Sequence, residues 1–213
     1  MSLVTNVADQ PMLRGLFVPV DDELDVDDLA VTGAVPPALE GAFLRIGPNP
    51  MFEPMGRYHM FDGDGMVHAI SLREGRAGRA LYGGLGEFRL PSRRDVGDAG
   101  AVKNPANTNL VRHAGRLLAL WEGGLPTEIT PGLETVGVYD FGGRAQGAFT
   151  AHPRVDPRTG ELFAFGYNPF PPYLRVFHVD AHGEMVRATD VDLPASAVMH
   201  DFASARELAQ TMV

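Results

Sequence analysis

Short apolar runs, each cut after a few residues by glycine or proline, constrain this chain more than any other feature. Its 213 residues hold 25 glycines and 17 prolines, and few windows keep helical periodicity beyond about two turns. Segments of that length suit strands joined by tight turns, so the chain reads as all-β. The clearest hairpin opens at Phe149-Thr150-Ala151-His152-Pro153-Arg154-Val155-Asp156. Pro157-Arg158-Thr159-Gly160 supplies its turn, and Glu161-Leu162-Phe163-Ala164-Phe165-Gly166-Tyr167 returns as an aromatic strand. His152 therefore stands just before a strand, where a side chain can be held rigidly. A second histidine in a similar setting, within Met199-His200-Asp201-Phe202, follows after an interval of 48 residues. A propeller blade takes roughly 40–50 residues, so the two imidazoles fall at equivalent points of neighbouring blades and could share a metal at the axis. Taken alone, a histidine beside a strand is more often a packing or surface residue.

Charge and composition narrow the function. The formal net charge is −9 and no run of basic residues occurs, which argues against a nucleic-acid partner. Lys103 is the one lysine, and arginine carries the remaining positive charge. With no cysteine, disulfides, thiolate metal sites and cysteine nucleophiles are excluded, leaving histidine and carboxylate as metal ligands. Met1-Ser2-Leu3-Val4-Thr5-Asn6 lacks the basic and apolar regions of a signal peptide. No apolar stretch reaches the roughly 18 residues that a spanning helix needs. The expected location is the cytoplasm, with peripheral membrane contact as an option.

Residues 1–38 read as a leader that wraps onto a larger body. Its acidic cluster, Asp21, Asp22, Glu23, Asp25, Asp27 and Asp28, reads as a solvated loop rather than a cation site. Ala42 to Ile46 then reads as a strand, followed by Gly47-Pro48-Asn49-Pro50 and a hairpin turning on Asp62-Gly63-Asp64-Gly65. Such Asp-Gly pairs accommodate the positive φ of tight hairpins, and they lack the further carboxylates of a calcium loop. His59 and His68 flank the turn and are taken as structural. His113, His178 and His182 lie in or beside turns and are expected to be solvated.

Gly47-Pro48-Asn49-Pro50 followed by Tyr58-His59-x-Phe61-Asp62-Gly63-Asp64-Gly65-Met66 resembles the N-terminal signature of the carotenoid cleavage oxygenases. The likeness continues through Ala106-Asn107-Thr108-Asn109, the run from Leu117 to Pro126, Leu133-Glu134-Thr135, Tyr139-Asp140-Phe141, Thr150-Ala151-His152-Pro153 and Met199-His200-Asp201-Phe202. It covers roughly residues 15–203. The resemblance implies a seven-bladed β-propeller with a ferrous ion held by four histidines at its axis. This chain would supply the N-terminal part, about three blades over 39–203, as an incomplete ring. His152 and His200 match two of the ligands, and Glu122 matches a glutamate that would orient His200. The implied reaction is cleavage of a conjugated C=C bond of a carotenoid or apocarotenoid by dioxygen, giving carbonyl products; the metal carries the hard step.

Substrate choice follows from the same likeness. Stilbene-cleaving relatives carry a lysine just after the Leu-Ala-Leu strand, whereas this chain has Trp121, which suits the wall of a tunnel for an apolar polyene. The loop Pro169-Phe170-Pro171-Pro172-Tyr173-Leu174 makes Phe170 a second tunnel candidate, with packing between blades the rival reading. Three departures from the pattern stand out. The segment between Ile70 and Leu81 is short, so the first blade is expected to be incomplete. Residues 204–213 favour helix where a strand is due. More than half of the propeller is not covered. Alternatives are therefore a non-catalytic propeller fragment and a stilbene-cleaving dioxygenase.

Overall fold

The computed structural model describes residues 10–51, 58–84 and 104–203. Among the described residues there are twelve strands. They are β1 (Asp25–Asp28), β2 (Gly41–Asn49), β3 (Asp64–Arg73), β4 (Arg76–Gly84), β5 (Asn109–His113), β6 (Arg116–Leu120), β7 (Thr127–Ile129), β8 (Thr135–Val138), β9 (Arg154–Val155), β10 (Leu162–Tyr167), β11 (Leu174–Val179) and β12 (Met185–Val191). Among the described residues there is no α-helix, only short 3-10 turns such as Met60–Asp62. The expected helical tail at 204–213 lies outside the described residues.

The strands form three antiparallel sheets of four, ordered β1-β4-β3-β2, β5-β6-β7-β8 and β12-β11-β10-β9. Each sheet is a propeller blade, and together they make a partial propeller. The second and third blades are simple meanders. The first is not: its outer strand β1 comes from the leader and pairs with β4, Asp25 opposite Leu81 and Asp28 opposite Gly78. The first blade therefore has its four strands despite the short segment after Ile70, which corrects the expectation of an incomplete blade. Part of the acidic leader cluster is likewise an edge strand rather than a loop, with every residue of β1 exposed.

The blades stack face to face, and the two-residue period of β6 shows how. Leu118 and Leu120 point into one core with Phe141, Phe149, Leu162, Ala164, Phe177, Val179 and Met185. Ala119 and Leu117 point the other way, into a second core with Val67, Ala69, Ala106, Ile129 and Leu133. The middle blade is thus apolar on both faces, which is why residues 117–120 of β6 read as a continuous apolar run. Phe149 sits between Phe141 and Phe177, with ring centroids 5.5 and 5.3 Å away.

The Asp-Gly-Asp-Gly run works differently from its sequence reading. Asp62 ends a 3-10 turn capped by His59, and Gly63 has φ −69°, so no tight turn of positive φ is made. Its glycines are required by close approach instead. A Cβ on Gly65 would lie 2.4 Å from Ala106 O, and Gly65 N donates to Pro105 O at 2.7 Å. Asn107 Nδ2 donates to Phe61 O and Gly63 O at 2.9 and 2.6 Å. The motif is a weld between the first blade and the chain entering the second. Asn49 similarly grips the leader, exchanging two hydrogen bonds with the backbone of Val20 at 2.8 and 2.9 Å.

Candidate metal centre

The segment that delivers His152 is pinned before β9 begins. Phe149 N donates to Gly124 O at 3.2 Å, and Thr150 N donates to Phe165 O at 2.6 Å. Asn109 Nδ2 donates to Ala151 O at 2.9 Å. Phe149, Thr150 and Ala151 are buried, and Gly166 is the residue that lets this chain approach β10, since a Cβ there would lie 1.9 Å from Ala148 O. Thr150 Oγ1 then accepts from His152 N at 3.1 Å, which fixes the backbone of the histidine itself. The result is a half-buried imidazole whose Nε2 is buried without a hydrogen-bond partner. An orphaned buried polar atom costs about 1–3 kcal/mol, so its retention calls for an explanation.

His200 arrives on irregular chain after β12, and its side chain is 68% exposed. The two imidazole centroids are 4.5 Å apart with planes at 66°. Glu122, two residues past the end of β6, pairs through Oε1 with His200 Nδ1. Its Oε2 accepts from Tyr167 Oη at 3.2 Å. Burial, and then the neighbouring Glu122 charge, raise the Tyr167 pKa, which keeps the phenol a proton donor. Ligand-capable atoms of Glu122, His152 and His200 all lie within 4.8 Å of one another.

A second set of contacts ties the two histidine segments together. Arg154 Nη2 donates to both carboxylate oxygens of Asp201 at 2.9 Å, and Arg154 Nε donates to Phe202 O at 2.9 Å. The backbone N–H of Phe202, and then the Arg154 guanidinium, hold the Asp201 carboxyl below its usual range. Phe202 closes the segment with its ring edge-on to Phe165, 5.3 Å between centroids.

The donor set fits a metal ion such as ferrous iron. Glu122 accepting from His200 Nδ1–H would fix the tautomer that leaves Nε2 with its lone pair. On His152, Nε2 is the nitrogen that lacks a partner. Imidazole nitrogens with an outer carboxylate suit iron among other divalent metals.

Other residues singled out from the sequence fall elsewhere. Trp121 is half-buried and lays its indole over Gly123, where a Cβ would meet the ring at 2.4 Å. Phe170 is 77% exposed on the loop that leaves β10 directly after Tyr167. His113 is buried and its Nε2 lies 2.8 Å from Gly160 O, so it is a packing residue rather than a solvated one. His178 is likewise half-buried, paired with Glu161 at 3.0 Å and stacked on Phe163. His182 is exposed in its turn. Tyr167, Thr150, Arg154 and Asp201 were missed by sequence reasoning. A charge two residues after one histidine and its opposite one residue after the other was the available signal.

Comparison with known proteins identifies the family. The family model described as retinal pigment epithelial membrane protein matches residues 17–208. The carotenoid cleavage oxygenase of Mycobacterium tuberculosis is 41% identical over 205 residues, covering 90% of this chain and 40% of that protein. The lignostilbene dioxygenase of Pseudomonas brassicacearum superposes with a TM-score of 0.80 at 32% identity, over 92% of this chain and 45% of that one. The cobalt-substituted apocarotenoid oxygenase of Synechocystis gives 0.68 at 29% identity, over 87% of this chain and 45% of that one. The chain thus spans less than half the length of the relatives it matches. A propeller-type fold and a match over nearly all its residues place the chain in the retinal pigment epithelial membrane protein family of oxygenases.

Proposed function

We propose that this chain contributes part of a ferrous centre for oxidative cleavage of a conjugated C=C bond in a carotenoid or apocarotenoid. The observation that carries the reading is the convergence of His152 and His200, 4.5 Å between ring centroids, around a buried Nε2 that nothing else satisfies. His152 and His200 would hold the iron, and the family resemblance assigns two further histidines to the part of the relatives' length that this chain does not span. Iron, when bound, would supply the activation of dioxygen that the protein's own side chains cannot perform. Glu122 orients His200, Tyr167 orients Glu122, and Thr150 fixes the approach of His152. Trp121 offers an aromatic wall to an apolar polyene.

A second reading, cleavage of a stilbene, draws support from the superposition on the lignostilbene dioxygenase. Trp121 favours the polyene, because it offers a phenolic substrate no charge. Anaerobic loading with ferrous iron followed by metal analysis tests the centre: His152→Ala should reduce bound iron to background, and unchanged iron content would overturn the ligand assignment. Turnover of an apocarotenoid against a hydroxystilbene by the loaded protein separates the two substrates. An iron-free product that bleaches neither would instead support a non-catalytic fragment.

A further inference from the structure

Residues 192–203 form neither strand nor helix, yet they must place His200. Ser196 Oγ reaches back to Asn168 O at 3.0 Å, and Phe202 rests on Phe165. Between those points the guanidinium of Arg154 makes three hydrogen bonds, two to the Asp201 carboxylate and one to Phe202 O. Arg154 follows His152 by two residues, and Asp201 adjoins His200. One planar group therefore joins the two histidine-bearing backbones by a short path.

We propose that Arg154 is a positioning residue of the metal centre, clasping Asp201 and Phe202 O so that His200 is set against His152. The proposal rests on reading the two histidines as partners in a metal site. An exposed ion pair contributes little stability by itself, and these side chains are 38% and 47% exposed. What distinguishes this one is directional geometry: the rigid donor fork reaches carboxylate and carbonyl together, which a lysine point charge does not reproduce. The contacts order a stretch of chain that has no sheet hydrogen bonds to order it.

Cobalt(II) can serve as the probe in titrations of the metal-free protein. Arg154→Gln should weaken its binding about tenfold, the usual effect of losing a group that orients a ligand. The same change should remove the proton Overhauser contact between the His152 and His200 rings in metal-free protein. Asp201→Asn, on the exposed partner, should reproduce both losses in part, since the bond from Arg154 Nε to Phe202 O remains. The double variant should be no worse than Arg154→Gln alone, because that change already removes the ion pair that Asp201→Asn weakens. Retention of the ring contact with affinity within about twofold of the parent, or losses that add in the double variant, would overturn the clasp. His152→Ala keeps the two ideas apart. If it leaves cobalt binding unchanged, the metal reading falls, while the response of the ring contact to Arg154→Gln and Asp201→Asn still judges the clasp.

Discussion

His152 and His200 sit within one cluster but are put there by different physics. His152 follows three buried residues whose backbone groups bond to Gly124, to Phe165 on β10 and to the Asn109 side chain on β5, so its position is inherited from the core. His200 lies on exposed irregular chain, and polar side chains locate it: Glu122 on its ring and Arg154 on its neighbours. The contrast shows that a site can draw its rigidity from two sources, one cooperative with folding and one local. Damage to the core should therefore cost stability and the site together. Damage to the polar contacts should cost the site while leaving the fold.

The largest effect that would sharpen this contrast is expected from Phe149→Ala. The ring is 1% exposed and stacked between two others, so its loss should destabilise the chain by about 4 kcal/mol. Urea unfolding measures this, and a change below about 1 kcal/mol would break the claim that His152 is placed by packing. Tyr167→Phe tests the other side. It removes one hydrogen bond to Glu122, and a loss of stability of about 1 kcal/mol is expected, together with a several-fold drop in metal affinity. Thermal melts and cobalt titration would read these separately, and an unchanged affinity would remove Tyr167 from the chain of contacts.

The smallest effect belongs to the first blade, away from both histidines. His68 on β3 has a lowered pKa, chiefly from burial and then from Arg45 across the β2–β3 pair. The folded state thus disfavours the charged ring, and the unfolded state binds more protons below about pH 6.5. Stability should fall as pH drops from that value toward the folded pKa, and remain level above it. His68→Gln should flatten this slope in unfolding midpoints measured against pH. An unaltered slope would assign the pH response to other groups.

Much of the fold was legible because local rules governed it. The Pro157–Gly160 turn and the aromatic return strand formed where turn chemistry and strand propensity agreed, with Gly160 at φ 73°. The Asp62–Gly65 reading failed because Gly63 answers to Tyr58 and Asn49 and Gly65 to Ala106, the last a contact made across the fold. The histidine interval was visible as a number, but Arg154 and Asp201 were ordinary surface charges until three-dimensional proximity joined them. His113 read as a turn residue, and its burial depends on Gly160, 47 positions away.

The outer strand of the first blade has a consequence for how the chain acquires its shape. β1 must find partners on β4 that lie as far downstream as Leu81 is from Asp25, whereas the other blades grow by neighbouring hairpins. Closing so large a loop is entropically slow relative to hairpin formation. Assembly should therefore begin in the later meanders, with the acidic leader arriving last, as a latch drawn across a door already hung.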